Sequence, residues 1–160
     1  MLRKRFVEMK TTKYLANLQR DANFELEEVI LELFQRSDVS PLVRGYFEKL
    51  CPVQDVKVDD VTILSYAEIL RLRGLTVPEM LLWEMLKLPV IALEPNHDVY
   101  CLLPTTGEVL MIPASACLEE PYRFYDWEDE CELSVNDVSL MTVCLERFAN
   151  LEEFLESLRL

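Results

Sequence analysis

Glycine is scarce in this chain: 3 in 160 residues, at positions 45, 74 and 107. Loops that cradle phosphates are built from clustered glycines, and neither G-x-x-x-x-G-K-[ST] nor G-x-G-x-x-G occurs, nor does the nucleophile elbow G-x-S-x-G. Nucleotide enzymology is therefore not expected. Histidine is scarcer still. His97 is the only one, and general acid–base work by it would require a partner carboxylate and a pocket, whereas Asp98 is merely its neighbour in sequence. A turn residue is the plainer reading of His97.

The cysteines, Cys51, Cys101, Cys117, Cys131 and Cys144, are odd in number and include no C-x-x-C pair. That excludes a disulfide framework and offers no zinc-ligand spacing; reduced, mostly buried thiols are expected. Cys51 and Cys117 are candidate nucleophiles only in principle, since neither stands directly beside a basic residue that would lower its pKa. The acidic pairs and triplets, Asp59-Asp60 and Glu128-Asp129-Glu130, lack the D-x-[DN]-x-[DN]-G calcium pattern and read as solvated turns. No cofactor is expected.

Long apolar runs are missing too. None approaches the roughly 18 to 20 residues of a membrane span. The start, Met1-Leu2-Arg3-Lys4-Arg5, is followed by Glu8, Lys10 and Lys13 in place of an apolar signal core. The expected location is a reducing one, cytoplasmic or nuclear.

What the chain has in quantity is acid: 29 Asp and Glu against 16 Lys and Arg, a formal charge of -13 at pH 7. Phosphate contacts need clustered bases, so direct nucleic-acid binding is disfavoured. The acid is concentrated late. Residues 118–160 carry twelve acids against Arg123, Arg147 and Arg159, whereas residues 1–20 carry Arg3, Lys4, Arg5, Lys10, Lys13 and Arg20 against Glu8. A basic partner for the C-terminal half and simple solubility both account for this bias. The basic first twenty residues read as a solvated helix face, with contact to an acidic lipid or RNA as the alternative.

The hydropathy pattern predicts a single α+β domain: helical over about 1–88, sheet-containing over about 89–160. Its N-terminal helices are expected to pack on a helix-covered, mainly antiparallel sheet with a C-terminal helix. Leu26, Val29, Ile30, Leu33 and Phe34 follow a helical stripe, extended upstream by Tyr14, Leu15, Leu18 and Ala22. Ser40-Pro41 is a helix start whose buried face is Leu42, Val43, Tyr46, Phe47 and Leu50. Val56, Val58, Val61 and Ile63 fit one strand or a small hairpin.

Ser65-Tyr66-Ala67-Glu68 and Thr76-Val77-Pro78-Glu79 match capping boxes, the first helix ending at Gly74 and the second running to Lys87. Strands are predicted at 90–93, 99–103 and 108–112, their near-continuous apolar character implying cover on both faces or at the centre of the sheet. Residues 113–132 show no period and are expected to form a long loop. Residues 138–146 are open between strand and helix, and Asn150 opens a terminal helix bearing Leu151, Phe154, Leu155 and Leu158.

Recognition chemistry concentrates in the aperiodic segment. Between Glu119 and Glu132, Tyr122, Phe124, Tyr125 and Trp127 alternate with Glu119, Glu120, Asp126, Glu128, Asp129, Glu130 and Glu132, and Arg123 is the one base. Rings give large contact area at low entropic cost, and carboxylates steer a basic partner. Residues 119, 120, 122, 124–130 are thus the candidate partner-binding residues. In the alternative reading the rings turn inward and only the acids face water; both readings can hold for alternate residues.

The layout from about residue 75 onward resembles the SUKH superfamily, the homology group of Syd, herpesvirus proteins and a yeast cell-wall regulator. The resemblance rests on three stretches. Leu75-Thr76-Val77-Pro78-Glu79-Met80-Leu81-Leu82 is like that family's proline-containing helix start. Val99 to Leu103 turns at Gly107 into Glu108 to Ile112, and Phe148-Ala149-Asn150-Leu151-Glu152-Glu153-Phe154-Leu155 is similar to its closing S-F-x-x-F-L helix. The chain departs from the pattern at Leu88-Pro89, where a glycine is common, and at the missing serine of the closing motif.

The resemblance implies an α+β domain that binds protein, like immunity proteins that neutralise toxins or viral antagonists of host responses, and it carries over no catalytic residue. Three functional expectations follow. The first is a non-enzymatic module that binds and inhibits a basic protein, the second an acidic secretion chaperone or adaptor, and the third a small enzyme using Cys117 or His97.

Overall fold

The structure is a computed structural model, and it describes residues 38–47, 51–52, 54–72 and 76–158. The predicted helical stripe over 14–34, together with Leu50 and Gly74, lies outside the described residues.

The first described helix, α1 (Pro41–Gly45), starts where the sequence predicts: Ser40 is its N-cap, its Oγ accepts the Leu42 N–H at 3.3 Å, and proline occupies the first turn. Val43, Tyr46 and Phe47 are buried as expected, but Leu42 is 65% exposed. The reason is angular: Leu42 precedes Val43 by about 100° on the helix and so falls off the stripe that Val43, Tyr46 and Phe47 share.

Strands β1 (Val56–Val58) and β2 (Val61–Ile63) form an antiparallel hairpin. The Asp59-Asp60 pair that interrupts the alternation is its two-residue turn, with Asp59 at φ 53°. Helix α2 (Tyr66–Leu72) uses half of the predicted capping box. Ser65 Oγ accepts the Glu68 N–H at 3.2 Å, yet Glu68 turns to Arg71, and it is Asp55 that accepts the Ser65 N–H at 2.8 Å. A carboxylate from the preceding hairpin thus stands in for the local one.

The predicted helix 76–87 is a short α-turn, α3 (Val77–Glu79), continued as a π-helical stretch, Met80–Met85. The widened turn buries Leu81, Leu82 and Trp83 together. Lys87, at φ 57°, ends it before Pro89.

Strands β3 (Val90–Leu93), β4 (Val99–Leu102) and β5 (Val109–Ile112) fall where the sequence places them. Together with β9 (Glu146–Phe148) they make a six-stranded antiparallel sheet in the order β1-β2-β3-β4-β5-β9. The sheet therefore draws on residues before 89 as well as after. Every residue of β4 and β5 is buried, as their unbroken apolar runs require.

The segment 113–132 is not a loop. A 3-10 turn, Ala114–Ala116, leads into a second, three-stranded sheet of β6 (Cys117–Leu118), β7 (Arg123–Asp126) and β8 (Cys131–Leu133). Strands this short leave too few residues to display a period.

Of the two readings of 138–146 the helical one holds over α4 (Asp137–Val143), which takes in the Val138, Leu140 and Thr142 that a strand would have alternated; strand β9 begins only at Glu146. Helix α5 (Leu151–Ser157) begins at Asn150, whose side chain accepts the Glu153 N–H at 2.8 Å, while Glu153 reaches back to the Ala149 N–H. Its Phe154 packs against Tyr100 of β4 and Phe148 of β9, ring centroids 4.9 and 5.4 Å apart.

The architecture is thus mixed α+β with antiparallel sheets. The expected roof of helices over the sheet does not form among the described residues, whose α-helices run from three to seven residues. No helix among them is long and apolar enough to cross a membrane.

Candidate functional site

The site is built on β7, whose alternation decides which of the candidate residues face outward. Phe124 is fully buried, while Arg123 and Tyr125 are half-buried on the other side of the strand; Asp126, 8% exposed, is the last residue of the strand, where it borders the cleft together with Tyr125. Phe124 is therefore a core residue, not a docking one, because strand pleating sends it inward. Tyr122 is also committed, its hydroxyl donating to Met80 Sδ at 3.1 Å.

Glu119 and Glu120 are exposed in the β6–β7 connection, away from the remaining candidates, which the β7–β8 hairpin gathers. Its four-residue loop is Trp127-Glu128-Asp129-Glu130. The Asp126 carboxylate holds that loop shut: Oδ1 accepts the N–H groups of Glu128 at 3.0 Å and Asp129 at 3.4 Å.

Trp127 is 62% exposed yet fixed in place. Its indole N–H donates to the Ser115 carbonyl of the 3-10 turn at 3.0 Å, and Tyr125 meets it edge-on with centroids 4.6 Å apart at 61°. The 3-10 turn is itself anchored, the Ala114 N–H donating to Asp98 Oδ1 at 2.8 Å.

Opposite Trp127 runs the end of α4. Asn136 caps this helix through the Ser139 N–H, and Leu140 and Val143 go into the core. Val138 at 78% and Leu145 at 65% stay exposed, with Met141 between them. The Leu145 N–H is tied to the Met111 carbonyl of β5 at 2.9 Å. Between the two elements lies a cleft of about 290 Å³, walled by Tyr125, Asp126, Trp127 and Glu128 on one side and by residues 142–145 on the other.

The helical reading of residues 138–146 is the one that marks Val138, Met141 and Leu145 as a stripe. In the structure Val138 and Met141 lie on the exposed face of α4, distinct from the Leu140 and Val143 that fill the core, while Leu145 lies beyond the helix end, after the extended Cys144.

The cleft's surroundings are anionic. Arg123 pairs with Glu132 at 2.9 Å, and its guanidinium also donates to the Glu119 and Pro121 carbonyls. Arg147 pairs with Glu108. Among the described residues no lysine or arginine forms an ion pair with Asp126, Glu128, Asp129 or Glu130.

The candidates for catalysis are placed otherwise. His97 is an exposed turn residue at φ 67°, its N–H bonded to the Glu94 carbonyl. All five cysteines are free. Burial pushes the Cys101 and Cys117 thiols up to about 12 and raises those of Cys51 and Cys144 as well, the opposite of what a thiolate nucleophile requires. Neither His97 nor Cys117 lines the cleft. No group of His, Cys, Asp and Glu among the described residues could hold a metal ion.

One buried acid stands apart. Thr76 makes no side-chain cap, so the expected box with Glu79 does not form. Glu79 is 2% exposed with Oε2 unbonded, and burial raises its pKa above the ordinary value of 4.5. A carboxyl raised in the folded state binds more protons there than in the unfolded chain, so stability falls as pH rises from about 4.5 to the raised value. Glu79→Gln is expected to abolish that decline and to be the more stable protein at pH 7, measured by urea unfolding across pH 4 to 8.

Against known proteins the chain matches no family model, no curated protein and no solved structure.

Proposed function

We propose that this chain is a non-enzymatic protein-interaction module that docks a basic protein segment on the face formed by the β7–β8 loop and α4, and inhibits or neutralises that partner. The observation that carries the reading is Trp127. It is an exposed indole held rigid by Ser115 and Tyr125, across the cleft from the exposed Leu145, and among the described residues no lysine or arginine pairs with the neighbouring Asp126, Glu128, Asp129 and Glu130. Rigid aromatic anchors with an apolar neighbour are the usual centres of protein interfaces, and unpaired surface charge of one sign speeds encounter with the opposite sign.

The raised thiols and the turn position of His97 favour binding over catalysis. The SUKH-like layout points the same way, towards immunity-type inhibitors, and a cytoplasmic or nuclear setting suits five unpaired cysteines.

The test is a peptide array of basic, neutral and acidic 15-residue segments probed with the purified protein at 50 and 300 mM salt. The expected result is retention of basic segments at the lower salt and release at the higher. Salt-insensitive capture of apolar segments would instead favour an acidic chaperone that uses the exposed Val138, Met141 and Leu145.

A further inference from the structure

The cleft also selects among basic side chains, an inference that rests on the docking reading above. We propose that it receives an arginine of the partner, the guanidinium lying flat on the Trp127 indole and directed at the carboxylates of Asp126 and Glu128.

Three features favour arginine. First, the Tyr125 and Trp127 rings meet edge-to-face with centroids only 4.6 Å apart. They touch, so no gap between them can enclose an ammonium or methylammonium as an aromatic cage does. What they leave is one open, immobilised indole face, the surface on which a planar guanidinium stacks.

Second, Asp126 is more than nine-tenths buried and lines the cleft, yet among the described residues no lysine or arginine pairs with it. Both of its hydrogen bonds come from backbone N–H groups and fall on Oδ1. The nearby Arg123 is held elsewhere, by Glu132 and two carbonyls. A guanidinium, with five donors in a rigid fork, can reach Asp126 and Glu128 together, which a single ammonium point charge does less well.

Third, a cleft of about 290 Å³ suits one long side chain and is too small for a helix. Its far wall, Val143 and Leu145, is apolar and would cover the methylene stem.

The experiment titrates the intact chain with four nine-residue peptides alternating alanine with arginine, lysine, trimethyl-lysine or citrulline. Calorimetry gives the affinity, and the Trp127 indole N–H resonance reports the location. The arginine peptide is expected to bind on the order of threefold to tenfold tighter than the lysine and trimethyl-lysine peptides and to shift the Trp127 resonance. The neutral citrulline peptide should not bind measurably, and Trp127→Leu should erase the preference for arginine over lysine.

Equal affinity for arginine and lysine would overturn the guanidinium assignment while leaving the docking reading standing. Tighter binding of trimethyl-lysine, or a preference that survives Trp127→Leu, would also overturn it. Failure of every peptide to bind at 50 mM salt would sink both.

Discussion

Trp127→Ala is expected to weaken binding of a basic segment by about thirtyfold, some 2 kcal/mol, which is the scale of an interface hot spot centred on tryptophan. The loss should come without collapse of the fold. The indole is 62% exposed, with Tyr125 as its ring partner and the Ser115 carbonyl as its hydrogen-bond acceptor, so stability should fall by no more than about 1 kcal/mol. Leu145→Ser, across the cleft, should weaken binding less. Glu128→Gln with Asp129→Asn should chiefly lower the association rate and flatten its salt dependence. Calorimetry with the tightest array peptide, paired with urea unfolding of each variant, separates the two effects. An unchanged affinity in a folded Trp127→Ala protein would remove the anchor from the account.

The largest effect on stability is expected in the core beneath α5. Phe154 is 1% exposed and contacts both Tyr100 and Phe148, so this side chain fastens α5 to β4 and β9, with Leu155 and Leu158 buried alongside. Phe154→Ala should cost about 3 to 5 kcal/mol, the lost transfer energy plus the cavity left among the three rings. That is a large part of the 5 to 15 kcal/mol typical of a domain. Chemical denaturation measures it directly. A cost below about 1 kcal/mol would mean that α5 does not close this end of the core.

Strands β3, β4 and β5 were legible because turn residues punctuate runs of buried β-branched and aliphatic residues. The starts at Ser40 and Asn150 were legible because capping is local chemistry. The errors arise where a local signal was answered by a distant group. Asp55 supplies the reciprocal bond that Glu68 was expected to make, and Glu79 is taken into the core instead of capping.

The second sheet was hidden for a different reason. Strands of two to four residues give no period to read, and β8 is largely exposed. The candidate site was half visible. Composition located the segment, but only the pleat of β7 separates Phe124, which faces the core, from Tyr125, which faces the cleft. The opposing wall on α4 belongs to a stretch that reads equally as strand and helix, so its contribution depends on the tertiary fold.

The central claim, that a basic segment docks where the β7–β8 loop faces α4, is tested most directly by backbone and indole NMR shift mapping with the arginine–alanine peptide. The predicted result is a set of saturable shifts confined to residues 125–130 and 141–145 and to the Trp127 indole, collapsing as salt rises. Shifts spread evenly over the acidic residues of the whole chain, with the Trp127 indole unmoved, would contradict it.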